Sequence, residues 1–225
     1  MLKNISNLGD AALYCDFGIQ VNKATNLEVI KYFNTIREKK IKGVNNLTPS
    51  YNKLIISFDL RVTNFSEIKN KIENLDTTIE QNKNNKKIEV PVCCEENFAL
   101  DKSRLEKKLN LSYQEILTKF FDKEYFCYMT GFIAGMPFLG DIDENLRTQR
   151  LETPRVKVPQ GSVGITEQFA NIYTFDSPGG WNIIGNTPLK VFDDSKERDP
   201  NLINPGDTVI FKKISLQEYE ICNGK

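Results

Sequence analysis

The chain has 225 residues, 40% of them hydrophobic and 27% charged, with 30 basic and 30 acidic side chains and no histidine. This length suits one large domain or two small ones with buried cores, and the balanced charge gives no electrostatic ground for a nucleic-acid partner. Without an imidazole, a Ser-His or Cys-His mechanism contained within the chain is excluded, because histidine is the usual near-neutral general base.

The N-terminal stretch "MLKNISNLGDAALYCDFG" lacks the apolar core of a signal peptide, and no later run approaches the roughly 18 apolar residues of a membrane span. A cytoplasmic protein without membrane attachment is expected. Ala11 to Phe17 reads as a strand. Thr25 to Glu28, "TNLE", has the capping-box pattern, with Val29, Ile30, Phe33 and Ile36 following at helical spacing and Gly43 beyond as a stop. "VNNLT" and "KLIISFD", joined by "PSYN", read as two strands; then Phe65, Ile68, Ile72, Leu75 and Ile79 recur at helical steps. The polar "EQNKNNKKIE" reads as a solvated connection. "KIEVPV" at Lys87 to Val92 closes a β-α-β-β-α-β order, so residues 1–90 are expected to form an α+β, ferredoxin-like domain.

Residues 91–225 are expected to form a second, mainly-β domain. Two short helices come first, the second opening with the capping box "SYQE" at Ser112 to Glu115 and carrying Ile116, Leu117, Phe120 and Phe121. "EYFCYMTGF", "GSVGIT", "NIYTF", "WNII", "PLKVF" and, after the turn "NPGD", "DTVIFKKI" then read as short strands of a barrel or sandwich. The cysteines, Cys15, Cys93, Cys94, Cys127 and Cys222, are odd in number and lack C-x-x-C spacing. Reduced, mostly buried thiols are expected, with neither a disulfide framework nor a metal site.

No phosphate-binding loop or dinucleotide fingerprint is present. "GSVG" at Gly161 to Gly164 differs from the G-x-S-x-G nucleophile elbow, and strand residues follow it where the elbow needs a helix. Arg150 and Arg155, in "RTQRLETPRVKVP", carry guanidinium forks suited to carboxylate or phosphate, and equally suit a solvated loop. Trp181 in "SPGGW" reads as a core filler or a substrate platform. Gly179 and Gly180 beside it let backbone amides approach a ligand, and such amides stabilise an oxyanion without histidine.

From Tyr128 onward, "YMTGFIAGMPFLGDID", "TPRVKVPQGSVGI", "NIYTFDSPGGWNIIGNTPLKVFD" and "LINPGDTVIF" closely resemble the family of the B-type 5-oxoprolinase component, also called allophanate hydrolase subunit 1 or the sporulation-kinase inhibitor family. A weaker resemblance reaches "CDFG", "PSYNKLIISFD" and the two short helices. It implies a small α+β domain followed by a cyclophilin-like β-barrel. It also implies partners: a larger homologous cyclophilin-like subunit of the C type and a third component of the A type, with ATP and Mg used by the assembled enzyme to open 5-oxoproline to glutamate. The isolated chain is expected to be inactive. Inhibition of a sensor histidine kinase, or half of a biotin-dependent carboxyltransferase, are the alternatives the family offers. On the matching motifs, the resemblance makes Arg155 and Arg150 the catalytic candidates. Gly161, Ser162, Gly164, Tyr173, Gly179, Gly180, Trp181 and Thr187 become the substrate-binding ones.

The sequence departs from the family pattern at several places. Phe120 stands where relatives commonly carry histidine, and Asn186 where they carry the arginine of G-R-T-P. Ala134, Met136 and Phe138 replace residues of G-F-x-P-G-F-x-Y-L-G, and Gln149-Arg150 replaces a P-R pair. These changes bear on specificity or on supporting positions.

Overall fold

A computed structural model describes residues 2–77 and 85–224. The chain divides into two compact units, Met1–Asn84 and Asn85–Lys225. Ile79 and the first half of the polar connection, residues 80–84, lie outside the described residues.

The first unit runs β1 (Asn4–Asn7), β2 (Ala12–Asp16), α1 (Lys23–Lys39), β3 (Val44–Pro49), β4 (Lys53–Phe58) and α2 (Phe65–Glu73). Its antiparallel sheet has the order β1-β2-β4-β3. Strand alternation sends Leu13 and Cys15 of β2 and Leu54, Ile56 and Phe58 of β4 to one face, where Val29 and Ile36 of α1 and Ile68 and Ile72 of α2 join the same core cluster. Helix α1 begins earlier than the "TNLE" pattern predicts. Its N-cap is Asn22, whose side chain accepts a hydrogen bond from the Thr25 amide at 2.9 Å, so Thr25 is already inside the first turn.

The ferredoxin-like order is altered at one edge. The expected last strand, "KIEVPV", pairs in the second unit, and the place beside β2 is taken by β1, an N-terminal strand the hydrophobic pattern did not reveal. β1 is four residues long with only Ile5 buried, too short to show a period.

The second unit runs β5 (Lys87–Cys93), α3 (Lys102–Leu109), α4 (Tyr113–Phe121), β6 (Glu124–Thr130), β7 (Pro137–Gly140), β8 (Arg155–Val158), β9 (Ser162–Thr166), β10 (Phe169–Ile172), β11 (Ser177–Gly179), β12 (Asn182–Asn186), β13 (Thr208–Ile214) and α5 (Leu216–Cys222). Seven strands close a barrel in the order β10-β7-β6-β13-β5-β12-β9, while β11 and β8 form a separate two-stranded strap. β5 pairs in parallel with all of β13, from Thr208 opposite Lys87 to Ile214 opposite Cys93, and antiparallel with β12 at Asn186 opposite Cys93. Closure leaves no free edge among the seven. "PLKVF" forms no strand; its Phe192 makes a single bridge to Asn201. "NIYTF" is paired only as far as Ile172.

The barrel strands carry two apolar faces. Val163, Ile165, Ala170, Ile172 and Ile184 share one cluster with Ile116, Leu117 and Phe120 of α4. Buried hydroxyls there are satisfied: Tyr113 donates to the Ile184 carbonyl at 2.6 Å and Tyr125 to the Phe120 carbonyl at 2.7 Å. Phe120 is fully buried and stacks on Phe211 at 4.8 Å, which makes the family's histidine place a packing position in this chain. The opposite face holds a smaller cluster of Met136, Val158, Tyr173, Trp181 and Ile183.

Candidate functional site

The smaller cluster lies where the predicted residues meet. The strap pairs Ser177 with Val158 and Gly179 with Arg155, which brings "TPR" and "SPGG" side by side although β9 and β10 separate them in sequence. A Cβ on Gly179 would lie 2.1 Å from the Tyr173 hydroxyl, so only glycine lets the strap pass this close over the ring. Gly164 plays the same part beneath, since its Cβ would stand 2.7 Å from Asn171 Oδ1 and 3.0 Å from Trp181 Cβ. Trp181 packs edge-on to Phe138, with ring centres 5.6 Å apart.

Tyr173 is 1% exposed, and burial raises its pKa; the Asn171 side chain, the Trp181 backbone amide and the charges of Arg150 and Arg155 pull the other way. Desolvation outweighs them, so the residue is a phenol that can donate a proton in a hydrogen bond.

Arg155 is held by a residue that sequence reasoning did not single out. Its Nη2 donates to Asp101 Oδ1 at 2.7 Å, and Asp101 Oδ2 accepts from the Ile183 amide at 2.7 Å. Asp101 stands at the N-cap position of α3 yet makes no side-chain cap, because its carboxylate is engaged with Arg155 and Ile183. The one sequence signal was the aspartate before the helical "KSRLEKKL", which reads as an ordinary cap.

A second pair of unpredicted residues fixes the loop that carries Arg150. Asn182 donates from Nδ2 to the carbonyls of Gln149 and Ile165, both at 3.1 Å, while Arg104 Nε donates to Asn182 Oδ1 at 2.9 Å. The Leu151 amide donates to the Gly180 carbonyl at 2.7 Å, tying the loop to the glycine turn. Arg150 itself is exposed.

The other predicted residues serve the framework. The Gly161 amide donates to the Tyr173 carbonyl at 2.8 Å and the Ser162 amide to the Pro159 carbonyl at 3.2 Å, so these two donors of "GSVG" are engaged inside the fold. Gly161 has φ +80°, and a Cβ there would strike the Thr187 carbonyl at 2.4 Å. Thr187 is buried and its amide closes this knot by donating to the Gly161 carbonyl at 2.9 Å. Ser162 is buried within β9, opposite Asn186. Asn186, in the family's arginine place, donates to the Gln160 carbonyl and accepts from the Tyr219 hydroxyl, each at 2.8 Å.

Among the described residues, five buried side-chain polar atoms lack a protein partner, and three of them belong to Arg155 (Nη1), Asn171 (Oδ1) and Ser177 (Oγ). The other two are Asn26 Oδ1 and Asn201 Oδ1, so three of the five fall on β8, β10 and β11. A cavity of about 430 Å³ lies elsewhere, in the first unit, lined by Phe33, Arg37, Lys40 and Leu47 among others, and contains no predicted site residue.

Comparison with known proteins agrees with this architecture. The chain is 32% identical to the B-type 5-oxoprolinase component of Bacillus subtilis (strain 168) over 227 residues, covering 96% of this chain and 94% of that protein. The crystal structure of TTHA0988 superposes with a TM-score of 0.82 at 26% identity, covering 92% of this chain but only 40% of that one. Urea carboxylase of Kluyveromyces lactis shares the fold, at 17% identity and a TM-score of 0.76 over 98% of this chain and 23% of its own. Residues 3–203 match the model of the carboxyltransferase domain, subdomain C and D, and the chain therefore belongs to that family.

Proposed function

We propose that this chain is the B-type component of an ATP-dependent 5-oxoprolinase, which with a larger homologous cyclophilin-like subunit and a third component opens 5-oxoproline to glutamate. The observation that carries the reading is the convergence of Arg155, Tyr173 and the Gly179–Trp181 turn in one cluster with unsatisfied buried polar atoms, in a chain similar along nearly its whole length to a B-type 5-oxoprolinase component.

A lactam resists water because its amide is resonance-stabilised, and opening it places negative charge on the carbonyl oxygen. The fixed Arg155 guanidinium and the Tyr173 phenol are preorganised donors of the kind that stabilise such charge, beside the packed rings of Trp181 and Phe138. ATP, when bound, supplies the driving force for ring opening. In this reading ATP and Mg are held by the partner components, and Arg155, already paired with Asp101, is kept for the lactam. Likeness to urea carboxylase rests on fold alone and supports no separate carboxyltransferase reading.

Coexpression with the two partner components, followed by an assay of ATP-dependent glutamate release from 5-oxoproline, tests the reading. Turnover by the complex that falls at least tenfold in Arg155→Ala, with the complex intact, is the expected result. A stable three-component complex without turnover overturns it.

A further inference from the structure

We propose that Asp101 decides what Arg155 recognises: an uncharged carbonyl oxygen, leaving any anionic group of the ligand to Arg150. This inference rests on reading the cluster as the ligand site, and it gives different tasks to two arginines that the sequence presents as equivalent.

Asp101 is 4% exposed, and neither of its oxygens is free to leave. Oδ1 accepts from Arg155 Nη2 and Oδ2 from the Ile183 amide, while the Asp101 amide donates back to the Ile183 carbonyl at 3.1 Å. The carboxylate is therefore a permanent neighbour of the guanidinium, and the pair has no net charge. A carboxylate or phosphate arriving at Arg155 would meet a second anion a few ångströms away in a weakly screened interior, which is unfavourable. A carbonyl oxygen brings a dipole without net charge and escapes that repulsion. Nη1 of Arg155, buried and without a protein acceptor, is the donor left for it.

Arg150 is in the opposite situation. It is exposed, and no ion pair with a carboxylate involves it among the described residues. Its backbone is held by the Leu151 bond to Gly180 and by Arg104 Nη2, which donates to the Arg150 carbonyl at 3.4 Å. An uncompensated guanidinium on an anchored loop beside the strap is suited to an anion.

The test measures binding by calorimetry on the full-length chain in complex with its partners, using 2-pyrrolidinone as an uncharged lactam and cyclopentanecarboxylate and inorganic phosphate as anions. Asp101→Asn is expected to weaken 2-pyrrolidinone about tenfold and to strengthen both anions several-fold. Arg150→Ala is expected to weaken cyclopentanecarboxylate about tenfold and to leave 2-pyrrolidinone within about twofold. Equal weakening of lactam and anions by Asp101→Asn, as mere structural support would give, overturns the proposal, as does unchanged carboxylate binding in Arg150→Ala. Should Asp101→Asn not fold, the pair Asp101→Asn with Arg155→Gln keeps an uncharged donor. Retention of 2-pyrrolidinone binding within about fivefold supports the proposal, and its loss overturns it. If 2-pyrrolidinone does not bind the unmodified complex, the lactam reading fails separately; the phosphate arm then decides, and no gain in Asp101→Asn overturns the assignment to Asp101.

Discussion

Asp101 and Arg155, 54 positions apart in the chain, meet at 2.7 Å, with the aspartate buried and the arginine side chain 26% exposed. The contact joins the start of α3 to the strap, so the strap's position over Tyr173 depends on an ion pair and not on strand pairing alone. A two-stranded ribbon of three and four residues is marginal by itself.

Removing the carboxylate should therefore destabilise the second unit. Asp101→Ala leaves a partly buried guanidinium without its counter-charge and the Ile183 amide without its acceptor. A loss of about 3 kcal/mol is expected, the lower end for a broken buried pair because Arg155 is partly exposed. Urea unfolding of the full chain measures it; a change below about 0.5 kcal/mol, the range of an ordinary surface substitution, would show the pair to be idle.

Gly179 in the strap and Gly180 just beyond it should respond differently to the same substitution. At Gly179 a methyl group meets the Tyr173 hydroxyl at 2.1 Å and its ring at 2.7 Å, so Gly179→Ala must displace the ring or lift the strap, at about 1–3 kcal/mol. At Gly180 the nearest atoms are 3.6 Å away, an ordinary contact, and Gly180→Ala should fold with a similar midpoint to the unmodified chain. Paired thermal melts separate the two, and equal effects would contradict the close passage over Tyr173.

Thiol reactivity should divide four to one. Cys15, Cys93, Cys94 and Cys127 are buried and Cys222 is exposed, so a thiol reagent at pH 8 should modify one group rapidly in the native protein and five after denaturation. Burial pushes the Cys15 and Cys94 thiols up to about 12. Both folded values lie above the unfolded thiol value of about 8.5. Their contribution to stability is therefore complete below about pH 8.5 and is lost as pH rises from there towards 12. Denaturation midpoints taken across pH 7 to 10.5 should fall on the alkaline side, and by less in Cys94→Ala.

The start of α1 is tested by two alanine substitutions. Asn22→Ala removes the acceptor for the Thr25 amide and should cost about 1 kcal/mol. Thr25→Ala, at the position the local pattern names as the cap, should change stability by less than about 0.5 kcal/mol. The reverse ranking would move the helix start to Thr25.

Elements whose cause is local were legible in advance. The "SYQE" box caps α4 as read, with Ser112 and Glu115 bonding reciprocally, because both partners lie within one turn. "KLIISFD" alternates because β4 buries one face of a sheet. Asp101, Arg104 and Asn182 were not legible as site residues. Each acts through a partner between 33 and 82 positions away, and nothing local distinguishes an aspartate that caps a helix from one that pairs with a distant arginine.

By itself the sequence determined that the chain has no imidazole, that its second half is strand-rich around glycine turns, and that its motifs resemble one family; these follow from composition, period and turn chemistry, which short segments carry whole. Only the tertiary structure decided that Lys87–Cys93 completes the barrel and not the first sheet, that the amides of Gly161 and Ser162 are engaged within the fold, and that Arg155 has a buried counter-ion. Strand partners and ion pairs of this range are chosen by which apolar faces must be covered together, a property of the folded whole that no window of sequence contains.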